Sequence, residues 1–502
     1  MPLNASFKKF DRKKFVKTDS IWYTATVDLR SLKSGSDIRG NAIAARGEKV
    51  NLDAETVKKI GGAFTEWLAR KTGKKDLTIA VGHDSRLSAI ELKEALIEKF
   101  KTCGVTVLDC GLCSTPSVYA MTKHKDANAD GAVMITASHH PYHKNGLKFF
   151  TREGGLSGGD IDDILELARQ GMSLSGNQFR LCREDYLGKY ADGLVSLARD
   201  KTGENRPLEG IRIVLDAGNG AGGFYAERVL KPLGADTRGS QYLEPDGRFP
   251  NHAPNPEDAA AMKSISECVV RNRADLGIIF DTDVDRAAIV LEERKGAYIV
   301  TDSVTSDGLK KFITDKGGVH YRYKRGYQNV IGQTKKLIAQ GKNAALAIET
   351  SGHAAFREND FLDDGAYLVT RILIKASELK KAGKALLSLI SDLEQPASRF
   401  ETRIFFRDVA DYKTYGDTVI RNLAEYAKKS FELEPSAYEG VRANVAPAQG
   451  WFLLRQSVHD PNMVLNVESA LPDGARKIAK ILYRYLSVFK NLDCPGLKAF
   501  IE

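Results

Sequence analysis

The sequence has little cysteine, no long apolar run and no block of like charge. Six cysteines in 502 residues are too sparse for a disulfide scaffold, and most stand beside apolar residues, where a small buried thiol is the ordinary reading. Cys110-Gly-Leu-Cys113 has redox or zinc spacing, but a second CxxC or a nearby CxxH is missing, so the cysteines are expected to be structural. No stretch reaches the roughly 18 consecutive apolar residues of a membrane-spanning helix. The opening MPLNASFKKFDRKKF lacks the apolar centre of a secretory signal and carries acids that transit peptides avoid, so a cytoplasmic location is expected. Lysine and arginine number 74 against 65 acidic residues, a net charge of +9, but the signs are interleaved. That pattern counts against nucleic acid as a partner, and a modest positive excess suits clefts that collect small anions. Low-complexity segments are absent.

A chain of this length exceeds one hydrophobic core, so several domains are expected. What recurs is a short β-branched run, a Gly/Asp turn and a helix-period segment. Leu77-Thr-Ile-Ala-Val81 leads into Gly82-His-Asp-Ser-Arg86, after which Ser88 is placed to cap a helix presenting Leu92, Leu96, Ile97 and Phe100. The theme returns at Ile211–Asp216, at Gly277–Phe280 and at Ala344–Ile348. Alternation of this kind predicts parallel sheets with ligands at the strand ends. Beyond about residue 400, strand-like Phe400–Phe406, Gly450–Leu454 and Val464–Val467 accompany helix-period segments near 412–428 and 473–489, which predicts a smaller α+β tail domain.

The charged turns after the strands carry the chemistry. In Asp281-Thr-Asp-Val-Asp-Arg286, carboxylates at alternate positions converge, and three bare carboxylates repel one another unless a hard divalent cation such as Mg²⁺ relieves them. An EF-hand is disfavoured: the sixth loop position is Arg286 instead of Gly and Ala287–Leu291 is apolar, although Glu292 stands twelfth. Ser138, in Ile135-Thr-Ala-Ser-His-His-Pro141, follows the apolar run Gly131–Ile135 without the G-x-S-x-G elbow of a hydrolase. Pro141 opposes the helix that would align His139 and His143 on zinc. What remains is serine as a phosphoryl carrier, Lys148 as proton donor or acceptor, and the aspartates supplying a metal. Glu349-Thr-Ser-Gly-His353 suits hydrogen bonds to sugar hydroxyls, and Arg455-Gln-Ser-Val-His-Asp-Pro461 offers a phosphate cradle. A rival signal is Gly218-x-Gly-x-x-Gly223 after a strand with Asp236 downstream, the pattern of a dinucleotide-binding turn and hence of an NAD-dependent oxidoreductase. That reading leaves Ser138, the three aspartates and both later turns without a role.

Together these residues resemble the α-D-phosphohexomutase superfamily over nearly the whole chain. Ser36-Asp-Ile-Arg-Gly40, Val81–Arg86 and Gly111–Pro116 are similar to its first-domain elements; Thr136–Pro141 with Asn145-Gly-Leu-Lys148 to its phosphoserine loop; Pro245–Pro250 with His252 to a further segment. Asp281–Arg286 resembles the metal loop, Glu349–His353 the sugar loop, and Asp363-Asp-Gly365 the segment after it. The resemblance implies three related α/β domains and a smaller α+β C-terminal domain around a central cleft, here expected at 1–200, 201–297, 298–398 and 399–502. It implies reversible conversion of hexose 1-phosphate to hexose 6-phosphate, glucose or mannose, through a phosphoserine on Ser138 and hexose 1,6-bisphosphate. Mg²⁺ would be held by Ser138, Asp281, Asp283 and Asp285, with glucose 1,6-bisphosphate as activator. Lys148 would move the hydroxyl proton, supported by Arg39 and His139, with Arg286 neutralising charge. Glu349, Ser351 and His353 would bind the sugar, and Arg455, Ser457 and His459 its phosphate.

The chain departs from the family pattern at several positions. His140 replaces the usual Asn, Thr282 replaces a Gly, and Val458 and His459 stand where the C-terminal phosphate loop commonly reads Gly/Asn-Thr. His459 donates to phosphate best when protonated, so phosphate binding is expected to weaken as pH rises through its titration. Thr350 stands where a phosphoglucosamine mutase carries Gln, which favours glucose and mannose phosphates over that alternative. An inactive sugar-bisphosphate sensor is the alternative from the binding class. Small sugar phosphates are the expected partners, with neither nucleic acid nor membrane.

Overall fold

The computed structural model describes residues 28–45, 47–183, 185–287, 296–434, 437–457 and 460–502. Val458 and His459, and with them the expectation about the His459 titration, lie outside the described residues, as does Glu292. Among the described residues no helix is long and apolar enough to cross a membrane.

The first unit is built on an eight-stranded sheet. Its order runs Lys33–Ser34, Asp37–Asn41, Lys144–Thr151, Gly131–Ile135, Thr78–His83, Thr106–Leu112, Arg180–Arg183, with Gly154–Gly155 paired to Lys144–Thr151. Strands Gly131–Ile135, Thr78–His83, Thr106–Leu112 and Arg180–Arg183 are parallel, whereas Lys144–Thr151 runs antiparallel between Gly131–Ile135 and Asp37–Asn41. Buried on both faces, the central strands Thr78–His83 and Gly131–Ile135 are nearly continuous apolar runs, as parallel strands covered on both sides are. Helices Ala54–Thr72, Ala89–Cys103 and Gly158–Arg169 cover one face with Val57, Ile60, Phe64, Leu92, Leu96, Phe100 and Ile161. Helix Ala54–Thr72 starts at Asp53, whose carboxylate accepts from Thr56 N at 2.8 Å, and stops at Gly73 in the left-handed conformation, φ 71°. Ser88 does begin a helix, but without a side-chain cap: its hydroxyl accepts from Asn145 Nδ2 at 2.9 Å, tying the helix to the strand that carries Lys148.

The second unit pairs Ile213–Asp216 with Leu276–Ile279 in parallel. The third orders Val319–Arg322, Tyr298–Thr301, Ala344–Ile348 and Ala354–Phe356, the last antiparallel. These two units share one core. Leu215, Tyr225 and Phe280 from the second pack in one cluster with Leu346, Phe356 and the helix Gly365–Lys381 of the third. The fourth unit is a six-stranded antiparallel sheet under helices Tyr412–Ser430 and Gly474–Leu486, with its own core of Ile404, Leu423, Phe452, Leu465 and Leu482. The expected architecture of three α/β domains and an α+β tail is what the chain forms. All six cysteines are free, and burial pushes the Cys113 thiol up to about 12, which fits inert structural residues.

Candidate active site

Carboxyl ends of parallel strands in three units face a common cleft of about 1180 Å³. Arg39, His139 and Lys148 line it from the first unit, Arg286 from the second, Glu349, Ser351 and His353 from the third, and Arg455 and Ser457 from the fourth.

Ser138 follows strand Gly131–Ile135 by three residues and is fully buried, with φ 51°, a left-handed backbone that non-glycine residues rarely adopt. Its surroundings over-determine that backbone. Ser138 N donates to Thr136 Oγ1 at 2.8 Å, and Thr136 Oγ1 donates to Asp84 Oδ2 at 2.7 Å. Arg86, itself buried, donates to the carbonyls of Ser138, His140 (2.7 Å), Pro141 (2.8 Å) and Lys144 (2.8 Å), and its Nε lies 3.3 Å from Asp84. One guanidinium thus gathers the whole serine loop. The Ser138 hydroxyl donates to Asp281 Oδ2 at 3.0 Å, and His139 Nδ1 lies 3.4 Å away. Burial, with Arg286 adding to it, holds the His139 imidazole far below its ordinary pKa and therefore neutral.

Asp281, Asp283 and Asp285 offer oxygens within 4.8 Å of one another and all three are buried. The turn carries a strained residue, Val284 at φ 66°. It is fixed from the first unit, where Thr115 N donates to the Asp283 carbonyl at 2.9 Å and Thr115 Oγ1 to its carboxylate at 2.6 Å. From below, Ala221 N donates to the Thr282 carbonyl at 2.8 Å. Of the glycines of the dinucleotide-like pattern, Gly220 serves this contact, since a Cβ there would lie 2.6 Å from the Thr282 carbonyl oxygen, whereas Gly223 admits the Leu243 carbonyl, 2.1 Å from where its Cβ would be, and Gly218 faces Pro254. Asp236, the acid of that pattern, is paired with Arg212 at 2.9 Å and Arg238 at 2.7 Å.

The donor set fits a hard divalent cation. Asp283 Oδ1 and Asp285 Oδ1 are buried without a hydrogen-bond partner, and the cluster contains only oxygen ligands of the kind Mg²⁺ prefers. Burial and the neighbouring Asp285 and Asp283 push Asp281 well above the usual carboxylate range. Burial also pushes Asp285 up, but Lys148, His353 and Arg286 outweigh it and hold its carboxyl low. Lys148 Nζ donates to Asp283 at 3.0 Å and to Asp285, and these carboxylates keep its ammonium charged against burial. Lys148 therefore stands inside the carboxylate cluster, on the register pair Met134↔Lys148 that joins it to the strand before Ser138.

The aspartate loop and the loop at 349–353 are joined through the backbone. Arg286 and His353 form an antiparallel bridge, Ala287 N donates to the Gly352 carbonyl at 3.1 Å, and Arg286 Nε donates to His353 Nε2 at 3.0 Å. Gly352 has φ 93°, and a Cβ there would meet the Ala287 carbonyl oxygen at 2.8 Å. Asp363 Oδ2 lies 2.6 Å from His353 Nδ1 and fixes the ring. Glu349 accepts from Gly326 N at 2.5 Å and from Ser351 Oγ at 3.3 Å; burial, then the Asp302 carboxylate, pushes it up to about 7. Arg39 donates to the Ala137 carbonyl and, at 2.9 Å, to Asp37. On the far side of the cleft, Arg455 Nε lies 3.7 Å from Glu439, and Asp460 N donates to Ser457 Oγ at 3.2 Å.

Sequence reasoning did not single out Arg86, Thr115 or Asp363. Arg86 and Thr115 act on partners 52 and 168 residues away, so no local signal marks them. His353, in contrast, sits beside Glu349 as its spacing suggested.

Comparison with known proteins agrees with this domain order. Residues 30–173, 188–296 and 278–395 match, in order, the alpha/beta/alpha domains I, II and III of phosphoglucomutase/phosphomannomutase. A phosphoglucomutase of Neisseria gonorrhoeae is 29% identical over 447 residues, which are 84% of this chain and 91% of that one. A phosphomannomutase of Escherichia coli is 29% identical over 464 residues, 86% of this chain and 94% of its own. The crystal structure of a phosphoglucomutase/phosphomannomutase family protein from Burkholderia thailandensis superposes with a TM-score of 0.74 at 26% identity, covering 91% of this chain and 97% of the other.

Proposed function

The chain belongs to the α-D-phosphohexomutase superfamily, with its phosphoglucomutase/phosphomannomutase domains in order, and we propose that Ser138 carries the phosphoryl group of its hexose-phosphate mutase reaction. The observation that carries this reading is the 3.0 Å contact of Ser138 Oγ with Asp281, 143 residues away, at the rim of a buried three-carboxylate cluster.

In the first half-reaction a sugar hydroxyl oxygen forms a bond to the phosphorus on Ser138, the phosphorus–Oγ bond breaks, and the hydroxyl proton leaves. The product is a sugar bisphosphate; in the second half its other phosphoryl group returns to Ser138 Oγ, which leaves the phosphate at the alternative carbon. Phosphoryl transfer asks for alignment and charge neutralisation more than for new covalent chemistry. Asp281, Asp283 and Asp285 would hold Mg²⁺, which when bound supplies positive charge to the transferring phosphoryl oxygens. Arg286 and Arg39 add fixed positive charge on the cleft side. Lys148, whose Nζ donates to Asp283 in the aspartate cluster that Ser138 Oγ also touches, and the neutral His139, with Nδ1 3.4 Å from that Oγ, would hold or move the hydroxyl proton. Glu349, Ser351 and His353 would bind sugar hydroxyls, while Arg455 and Ser457 receive the phosphate that is not reacting. Burial of Ser138 excludes water, which would otherwise hydrolyse the phosphoenzyme.

A coupled assay with glucose 1-phosphate and mannose 1-phosphate, Mg²⁺ and a trace of glucose 1,6-bisphosphate tests the reading. Wild type turns both over, and Ser138→Ala loses at least about a thousandfold in kcat. Activity surviving in Ser138→Ala would remove the phosphoserine from the reaction.

A further inference from the structure

The serine loop is held by Arg86, and Arg86 is in turn held from another unit. Its two terminal nitrogens make four carbonyl contacts to residues 138–144, while Nε faces Asp84 at 3.3 Å. Its remaining surface lies 5.3 Å from the ring centroid of Phe249, a residue of the second unit. Phe249 has φ 50°, an outlier for a bulky aromatic that persists only where its surroundings demand it. The turn reaches the first unit through Gly247. A Cβ there would lie 2.4 Å from the Ser85 carbonyl oxygen, 2.5 Å from Leu87 N and 2.7 Å from Arg86 Cα, so only glycine permits the approach. Arg248, between them, is turned to Asp246 at 2.6 Å and leaves the ring free to cover Arg86.

From this we propose that the 245–250 turn is a clamp between units, with Phe249 a positioning residue that holds Arg86, and through it Ser138, in register with the aspartate loop of its own unit. The physical case is strain against support. Ser138 keeps a left-handed backbone, and the carbonyl most affected by that choice is the one Arg86 grips. A guanidinium buried under an aromatic face gains from the ring and loses water that would compete for its donors. Because Phe249 and Asp281 belong to the same unit, the clamp aligns the two loops that must meet for transfer.

The proposal rests on Ser138 being the phosphoryl carrier for its kinetic arm, and on geometry alone for its exchange arm. In the full chain, Phe249→Ala is expected to lower kcat for glucose 1-phosphate about thirtyfold with KM changed by less than about threefold, since misplacing a reacting group costs turnover more than binding. Amide hydrogen exchange of residues 136–146 is expected to accelerate about tenfold, with strand Thr78–His83 unchanged. Phe249→Tyr keeps the ring and restores both. Phe249→Leu, which keeps apolar bulk without an aromatic face, serves if the alanine variant does not fold, and is expected to show the same two losses to a lesser degree. Exchange in the loop unchanged in Phe249→Ala (or Phe249→Leu), or losses that Phe249→Tyr fails to recover, would overturn the clamp. A wild type that neither turns over hexose phosphates nor accepts phosphate on Ser138 would overturn the functional reading instead, and the exchange arm would still decide the clamp.

Discussion

Ser138 joins backbone strain to display: a left-handed serine presents its hydroxyl to Asp281 because Thr136 and Arg86 hold the turn on either side of it. Its importance was legible from the apolar strand ahead of it and from the failure of hydrolase and zinc patterns. The alternate aspartates were legible for a similar reason, since three carboxylates on one turn need a common purpose. Arg86 was not, because the four carbonyls it binds belong to a loop that starts 52 residues later. Two outcomes follow at this scale. Chelation of divalent ions should abolish turnover and added Mg²⁺ restore it, while Asp283→Asn, which removes one ligand charge and weakens the Lys148 pair, should lower Mg²⁺ affinity about 10–100-fold in a titration of activity against metal. Glu349, pushed up to about 7, is protonated in the ligand-free protein at lower pH and gains its full acceptor strength only above that value. Sugar-phosphate affinity should therefore rise from pH 6 toward pH 8 more steeply in wild type than in Glu349→Gln, after the common ionisation of the substrate phosphate is divided out. Stability runs the other way. A carboxyl raised from 4.5 to about 7 stabilises the fold fully below 4.5 and loses that contribution as pH passes through 7, so the melting temperature of wild type should fall over this window relative to Glu349→Gln.

Among the elements, the glycine-rich turn after Ile213–Asp216 shows how a pattern can be read correctly and assigned wrongly. Its glycines do allow close backbone approach, but what approaches is protein: the Thr282 backbone of the aspartate loop at Gly220 and the Leu243 backbone at Gly223. Gly220→Ala should therefore cost about 1–3 kcal/mol of stability through overpacking and should lower kcat, with Mg²⁺ affinity reduced in parallel; urea denaturation and the metal titration read the two effects. Parallel strands such as Ala344–Ile348 were visible because a fully buried strand is a short apolar run. Lys144–Thr151 was harder to see. It carries Asn145 and Lys148 inward among buried apolar residues, and those polar groups have partners, Ser88 and the aspartates, that only the assembled sheet supplies. Ser88 illustrates the same limit, since a hydroxyl placed to cap its own helix is engaged by Asn145 instead.

Across the whole molecule, the fourth unit is docked on the third by two buried arginines that share one half-exposed acid. Arg442 is fully buried 3.4 Å from the Trp451 ring centroid, and it shares Asp307 with Arg322, each at 3.0 Å. Arg322 also reaches Glu434 at 3.2 Å, and the Tyr321 and Tyr438 hydroxyls lie 2.6 Å apart. Asp307 is about half exposed, 47% by side chain, so its removal should cost less than a fully buried partner would. Asp307→Ala is expected to destabilise by about 1–2 kcal/mol, to lower the first calorimetric transition, and to raise KM for sugar phosphate because Arg455 rides on the displaced unit. None of these contacts has a signature in sequence: an arginine reads as surface until its distant acid and aromatic neighbours are known.

The core shared by the second and third units has a consequence for recombination. Leu215 and Phe280 are sealed by Phe356 and the helix Gly365–Lys381, and Ala287 is stitched to Gly352. A chimaera that exchanges only the third unit with a relative would inherit half of a hydrophobic interior and one side of a backbone seam. The smallest transplantable cassette is therefore the pair, and natural divergence between these two units is constrained to proceed together.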